Sequence, residues 1–159
     1  MADKVPPAVR SRIMSRVKSK GMKPEMRVRR ILHGLGYRYR LHRSDLPGRP
    51  DIVFPSRRKI VFVNGCFWHS HSGCQRVRIP ATNRGYWIEK LNRNSARDER
   101  NLASLKGMGW KVMTVWECEL RDIATITEQL CEFLGSRRHE TNKTGDRPRF
   151  ETLRTKCSI

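Results

Sequence analysis

Apolar residues recur at helical spacing in three segments of the chain. The first segment begins at Pro24, a residue favoured in the first turn of a helix, and ends near Gly36. Its apolar positions are Val28, Ile31, Leu32 and Leu35. A long helix is predicted over about residues 86–108, and a final helix over Ile123–Leu134.

Between the first two helices, short apolar runs are separated by turn residues. One run is DIVF, which follows the turn cluster LPGRPD, and the next is IVFVN, which follows PSRRK. Together they predict a β-hairpin with Phe54 opposite Ile60 and Asp51 opposite Val63. A third strand is predicted at WKVMTVW. This order of elements predicts an α/β fold, with a mixed sheet flanked by helices and a right-handed parallel crossover into the last strand.

The apolar pattern is confined to the middle of the 159-residue chain, which predicts one domain with two tails. Residues 24–135 form that domain. Residues 1–23 are read as a basic arm that could order on DNA, or else as an uninvolved terminus. Residues 136–159 are basic and poor in apolar side chains, so a flexible tail is expected.

The net charge of the chain indicates which kind of partner it binds. Lys and Arg number 34 against 15 Asp and Glu, which gives a formal net charge of +19. This charge predicts a polyanionic partner. Nucleic acid is favoured over a membrane because the sequence has no amphipathic membrane helix or lipid-anchor motif. A membrane span and a signal peptide are also lacking, which predicts a cytoplasmic protein.

Cysteine and histidine cluster in the loop that follows the predicted hairpin. Cys66, His71 and Cys74 lie close together there, and Cys118 directly follows the third strand. Two thiolates and an imidazole at this spacing favour zinc, with His69 as a competing ligand and free thiols as the alternative. Four protein ligands would make such a zinc structural, so a catalytic metal is expected elsewhere. Cys131 is assigned instead to the core-facing stripe of the last helix.

Three polar residues are candidates for catalysis. Asp51 and the main-chain carbonyl of Val63 could share one Mg²⁺ across the hairpin, although Asp51 could equally be a turn-capping acid. Asp98 falls on the apolar stripe of the long helix, where it needs a histidine, the metal site or an arginine as partner. His69 suits proton transfer near neutral pH, but it could be an ordinary loop histidine. The stripe itself is predicted to contain Ile88, Leu91, Ser95, Asp98, Leu102 and Leu105.

Four aromatic residues stand in polar, basic surroundings, unlike typical core positions. They are Phe67, Trp68, Tyr86 and Trp87. Aromatic side chains can wedge between base pairs and offset the cost of unstacking, whereas core packing of some of them is the alternative.

These segments together resemble the very-short-patch-repair (Vsr-type) endonucleases. The resemblance covers roughly residues 18–134 and is carried by LPGRPD, VNGCFWHSHSGC, PATNRGYWIEKLNRN and GWKVMTVWEC. It implies a restriction-endonuclease-like core with a structural zinc, and a Mg²⁺-dependent nick on the 5′ side of the thymine in a T·G mismatch left by deamination of 5-methylcytosine. The expected substrate is double-stranded DNA with a T·G mismatch at the bacterial nucleoid, and a monomer is expected. Mismatch-repair proteins and a functionally linked cytosine-5 methyltransferase are candidate partners, and the sequence leaves open whether such a methyltransferase accompanies the protein.

The resemblance also implies roles for individual residues. Asp51 and the Val63 carbonyl match the family's magnesium ligands, His69 its water-activating histidine, and Asp98 a supporting acid. Glu25 matches an acid that reaches the metal through water. The implied zinc ligands are Cys66, His71, Cys74 and Cys118, and the implied DNA contacts are the wedge residues Phe67, Trp68 and Trp87 with the polar residues Lys90 and Asn94.

One position departs from the resemblance. Asn64 stands where a form of the family has a second active-site histidine, and an amide cannot donate a proton as an imidazolium does. A DNA-binding protein held together by zinc but without catalysis is therefore a rival interpretation, and a basic RNA-associated protein is a second one.

Overall fold

The protein is described here by a computed structural model that covers residues 21–136. The arm and tail predicted at the two ends fall almost wholly outside these residues. The described elements, in chain order, are α1 (Lys23–Gly34), β1 (Arg40–Leu41), β2 (Ile52–Phe54), β3 (Lys59–Asn64), α2 (Arg84–Gly107), β4 (Lys111–Trp116) and α3 (Ile123–Leu134).

The four strands form one mixed sheet in the order β1-β2-β3-β4. The first three strands pair antiparallel, and β4 pairs parallel to β3 after the connection through α2. The predicted α/β class, mixed sheet and parallel crossover are therefore confirmed. Strand β1 was not predicted, because it consists of two exposed residues without an apolar pattern.

The predicted register of the hairpin is wrong by one residue. Phe54 pairs with Lys59 rather than Ile60, and Ile52 pairs with Val61, which leaves Asp51 one position away from a pairing with Val63. The cause lies in the connection, where Pro55–Arg57 form a short 3₁₀ turn and Arg58 adopts a left-handed conformation with φ of 54°. Arg58 thus completes the turn within four residues, so Lys59 already begins the returning strand.

Alternating side chains of the sheet fill two separate cores. Val61 packs with α1 and α3 on one face, in a cluster that includes Val28, Leu32, Ile126, Leu130 and Leu134. Ile60, the preceding residue, packs on the other face with Leu105 of α2 and Trp110. Because neighbouring residues of a strand point to opposite faces, one six-residue strand supports both layers of helices.

The buried stripe of α2 differs from the prediction at its start. Ile88 is 38% exposed, whereas Trp87 is only 6% exposed and Leu91 and Leu105 are buried. A shift of one residue rotates a helical position by about 100°. Trp87 therefore begins the stripe, and Asp98 remains on it as a half-buried residue, as predicted.

Among residues 21–136, no helix is both long enough and apolar enough to cross a membrane.

The turn that carries Asp51 depends on Gly48. Its φ is +75°, and an added Cβ would lie 3.0 Å from Nδ2 of Asn101 in α2. We expect Gly48→Ala to lower the free energy of unfolding by about 1–3 kcal/mol, because the methyl group meets both strain and a close neighbour. Urea denaturation measures the change. The control is Gly107→Ala, where no atom lies within 4 Å of the added methyl group. Because alanine favours the helix over glycine, this change should raise the free energy of unfolding by about 1 kcal/mol or less. Equal stability of the two variants would contradict the account.

Candidate active site and metal cluster

The parallel pairing of β3 with β4 brings two loops to one edge of the sheet. Asn64 pairs with Trp116 at the ends of the strands, and the Glu117 amide donates a hydrogen bond to the Asn64 carbonyl at 2.9 Å. The loop after β3 and the loop after β4 therefore leave the sheet side by side. This explains how Cys118 reaches residues that precede it by more than forty positions.

The predicted cysteine and histidine ligands come together at this edge. One ligand atom from each of four residues lies within 4.8 Å of all the others, and these residues are Cys66, His71, Cys74 and Cys118. The Cys118 Sγ lies 3.3 Å from Nδ1 of His71, and the His71 ring stacks on Trp116 with centroids 4.1 Å apart. His69, the competing ligand, is outside the cluster. The four donors are soft and close enough to hold one metal ion.

The electrostatics of the cysteines also suit a cation. Burial raises the pKa of the Cys66 thiol to about 12, so this group needs a positive partner to become a thiolate. The Arg76 backbone amide lowers the pKa of the more open Cys74 thiol. A metal ion would supply the missing charge to the buried member of the cluster.

A separate cleft of about 800 Å³ lies between the sheet and α2. Its walls contain the predicted catalytic residues Asp51, His69, Asp98 and Asn64, and the aromatic and basic residues Trp68, Lys90 and Arg97. Residues that are far apart in sequence thus face one space of a size suited to a reacting group.

Asp51 is held at the cleft by the backbone of β3. Its Oδ2 accepts a hydrogen bond of 2.8 Å from the Val63 amide. The participation of the Val63 carbonyl in a metal site stays a prediction. Burial raises the pKa of Asp51, and the Glu25 carboxylate adds to this rise, while the Val63 amide, His42 and His69 oppose it.

His69 and Asp98 form the closest polar pair of the cleft. Nδ1 of His69 lies 2.6 Å from Oδ2 of Asp98, and both side chains are about one quarter exposed. With Nδ1–H donated to the carboxylate, the other ring nitrogen is an acceptor. The sequence left open whether Asp98 meets a histidine or an arginine. It meets His69 through Oδ2, and Arg97 lies 3.3 Å from its Oδ1.

Glu25 lies next to the cleft and is joined to it by a residue that the sequence analysis missed. Glu25 is only 3% exposed, and its Oε1 lies 2.9 Å from Nε2 of His42. Nδ1 of His42 in turn lies 4.0 Å from Oδ1 of Asp51. Ligand atoms from Glu25, His42 and Asp51 lie within 4.8 Å of one another, a second group that could hold a metal. A single histidine in the polar run YRLHRSD gives no periodic signal, so only its pairing with distant acids identifies it.

The predicted wedge aromatics form one packed group. The ring centroids of Phe67 lie 5.1 Å from Trp68 and 5.6 Å from Trp87, and Trp68 and Trp87 are 6.2 Å apart. The view of all four aromatics as unlike core positions is wrong for Trp87, which is buried, whereas Tyr86 is 50% exposed. Trp87 is large and mostly apolar, and it is buried against the rings of Phe67 and Trp68.

Polar residues tie this aromatic group to α2. The Lys90 Nζ lies 5.4–5.6 Å from the ring centroids of Trp68, Tyr86 and Trp87. The Asn94 amide donates a hydrogen bond of 3.1 Å to the Trp68 carbonyl. Lys90 and Asn94, the predicted DNA contacts, thus lie beside the predicted wedge residues.

A row of cations on α2 was also missed at the sequence level. A shallow groove next to the aromatic group is lined by Arg93, Arg97 and Arg100 together with Lys90. They follow helical spacing, so one face of α2 presents four positive charges. The charge count of the whole chain hides this, because basic residues are common everywhere in the sequence.

Comparison with known proteins identifies relatives that are named as DNA endonucleases or nicking enzymes. Residues 2–76 match the family model of the DNA mismatch endonuclease Vsr. The type II nicking enzyme V.XorIIP of Xanthomonas oryzae is 49% identical over 134 residues, which cover 84% of this chain and 98% of that relative. The type II nicking enzyme V.NmeAIP of Neisseria meningitidis is 42% identical, covering 82% and 92%. The DNA mismatch endonuclease Vsr of Escherichia coli is 39% identical, covering 81% and 82%.

The desolvation of Asp51 can be tested with Asp51→Asn. We expect this change to raise the free energy of unfolding in magnesium-free buffer by about 1 kcal/mol at pH 7. Folding raises the Asp51 pKa and so penalises the ionised carboxylate, whereas an amide carries no charge and can still accept from Val63.

The gain should be complete above the folded pKa of Asp51. It should vanish as the pH falls through that pKa towards the ordinary value of 3.8, because the acid is then protonated in both states. Urea denaturation of both proteins at several pH values measures the difference. A variant that is less stable than the parent at pH 7 would contradict the assignment.

Proposed function

Because the chain belongs to the family of the DNA mismatch endonuclease Vsr, we propose that it nicks one strand of duplex DNA on the 5′ side of the thymine in a T·G mismatch. Members of this family have a restriction-endonuclease-like fold, and the α/β core of this chain is assigned to that fold. The main support for this proposal is that Asp51 and the His69–Asp98 pair line one cleft beside an aromatic group.

The reaction is the hydrolysis of one phosphodiester bond by water. His69 accepts the proton of the attacking water at Nε2, because its Nδ1–H is donated to Asp98. Asp98 thus fixes the ring orientation and stabilises the imidazolium that forms. A new bond joins the water oxygen to phosphorus, the bond between phosphorus and the leaving oxygen breaks, and that oxygen takes a proton from solvent water.

Asp51 is the residue that would hold Mg²⁺, with the Val63 carbonyl as a further ligand. Its Oδ2 is engaged by the Val63 amide, so Oδ1 is the oxygen available to a cation. Bound Mg²⁺ would polarise the scissile phosphate and neutralise charge that develops on it. Asn64 lines the same cleft and can donate an amide hydrogen bond to a phosphate oxygen.

The aromatic group and the basic face of α2 suit the duplex. Phe67, Trp68 and Trp87 would enter the base stack at the mismatch, where pairing is weakest and unstacking costs least. Release of Trp87 from its buried position is part of that step. The basic residues of this face would bind backbone phosphates beside the wedge, and they are Lys90, Arg93, Arg97 and Arg100. The affinity for DNA should therefore depend strongly on salt concentration.

Zinc is the ion proposed for the cysteine cluster. A tetrahedral ion with bonds of about 2.3 Å holds sulfur ligands about 3.8 Å apart, a spacing that fits within the 4.8 Å limit of this cluster. All four positions are then filled by protein, so the ion is structural. It would join the loop that carries His69 to the end of β4. Partner mismatch-repair proteins and a cytosine-5 methyltransferase stay predictions of the family resemblance.

Removal of one ligand tests the zinc assignment. Cys118→Ala should lose stoichiometric zinc and about 3 kcal/mol or more of stability, because the ligand that follows β4 closes the site. Elemental analysis and thermal unfolding measure the two effects. The matched control is Ser72→Ala, an exposed residue of the same loop, which should retain both. Full zinc content and an unchanged melting temperature in Cys118→Ala would count against the assignment.

Nicking of defined duplexes tests the catalytic proposal. Labelled duplexes that carry T·G, C·G or T·A at one position should be cut with Mg²⁺ only at the T·G mismatch. Asp51→Ala should slow this cut by about 10³-fold or more while duplex affinity remains, because the cation ligand is lost and the aromatic group is not. Asp45→Ala removes an exposed acid of the same loop and serves as the control.

The same experiment separates the rival functions. Tight binding to the T·G duplex without any cut would favour a non-catalytic DNA-binding protein. Tighter binding to structured RNA than to the mismatched duplex would favour an RNA-associated protein.

A further inference from the structure

His42 lies between two carboxylates at the wall of the cleft. One ring nitrogen, Nε2, is 2.9 Å from Oε1 of Glu25, and the other, Nδ1, is 4.0 Å from Oδ1 of Asp51. The side chain is 16% exposed and faces the same cavity as Asp51 and His69. The His42 ring thus lies between the buried Glu25 and Asp51, the proposed metal-binding residue.

Glu25 already has partners for both of its oxygens. Oε2 accepts a hydrogen bond of 2.6 Å from the Gly21 amide, and Oε1 contacts Arg29 as well as His42. The His42 ring contacts Glu25 on one side and faces Asp51 on the other, and ligand atoms of all three residues lie within 4.8 Å of one another. Histidines that bind metals commonly donate their second ring N–H to such a carboxylate, which fixes the orientation of the ring.

The facing atoms of His42 and Asp51 are suited to a shared cation. With Nε2–H donated to Glu25, Nδ1 presents a lone pair, and Oδ1 of Asp51 presents another across 4.0 Å. Two acceptors at this distance form no hydrogen bond with each other. An ion with bonds of about 2.1–2.2 Å reaches both of them.

Arg29 balances part of the negative charge. Its Nη2 lies 2.7 Å from Nε2 of His42, and its guanidinium pairs with Glu25. Arg29 and Glu25 together are neutral, so the carboxylate of Asp51 leaves one formal negative charge in this group. The group therefore still attracts a cation. Ion binding at Nδ1 selects the tautomer that donates Nε2–H to Glu25 rather than the one that accepts from Arg29.

We propose that His42 is a direct ligand, through Nδ1, of the divalent ion at Asp51, and that this nitrogen makes the site bind Mn²⁺ in preference to Mg²⁺. The proposal deepens the proposed function and rests on its metal site. Imidazole nitrogen is a good ligand for transition-metal ions, whereas Mg²⁺ strongly prefers oxygen. Glu25 then acts on the ion through His42.

Pulsed electron paramagnetic resonance of bound Mn²⁺ tests the proposal directly. The full chain is first saturated with zinc and then loaded with Mn²⁺. The expected spectrum shows ¹⁴N coupling from a coordinated imidazole, and His42→Gln should abolish this coupling. His69→Gln should retain it, and so should His33→Gln, which changes an exposed histidine of α1.

Calorimetric titration supplies a second measurement. His42→Gln should weaken Mn²⁺ binding by about 10-fold or more and Mg²⁺ binding by less than about 3-fold, since only the transition metal gains from the nitrogen. A wild-type spectrum without ¹⁴N coupling would overturn the proposal, even if His42→Gln fails to fold. So would coupling that depends on His69 instead.

The nicking assay keeps this result apart from the proposed function. A chain that nicks the T·G duplex but shows no nitrogen coupling keeps the function and loses the His42 ligand. A chain that shows the coupling but never nicks keeps the ligand and loses the function.

Discussion

The parallel pairing of β3 with β4 is the constraint on which the site depends. Parallel strands end at the same edge of a sheet, and here that edge receives the loop from Gly65 onwards and the segment that begins at Glu117. The cysteine cluster closes across these two segments. The same loop carries His69 into the cleft, so the cysteine cluster and the proposed catalytic histidine depend on the same loop. Loss of the pairing would therefore separate both sets of residues at once.

The two groups of candidate metal ligands have different chemistry. The cysteine cluster offers sulfur and nitrogen donors and has four protein ligands, which suits a closed structural site. The group around Asp51 offers oxygen and one imidazole, lies at an open cleft, and leaves room for water and a phosphate. Separate ions can thus stabilise the loop and take part in hydrolysis without competing for the same ligands.

Much of the fold was predictable because local signals agreed with the packing. Helix α3 has the predicted bounds, since Asp122 caps its start by accepting from the Thr125 amide and Gly135 ends it with φ of 77°. The hairpin register was not predictable, because a left-handed Arg58 is a conformation that arginine rarely signals. Trp87 was misplaced because its burial depends on neighbours from another loop. His42 was missed because its partners lie 17 and 9 positions away, and only the fold brings them together.

In the proposed mechanism, His69 and Asp98 act as one unit in proton transfer. A double-mutant cycle in single-turnover nicking of a T·G duplex tests it most directly, with His69→Gln, Asp98→Asn and the double variant. We expect the double variant to be about as slow as His69→Gln alone, because Asp98 acts only through the ring that it orients. Rate losses that simply multiply would contradict the claim, since the two side chains would then contribute independently.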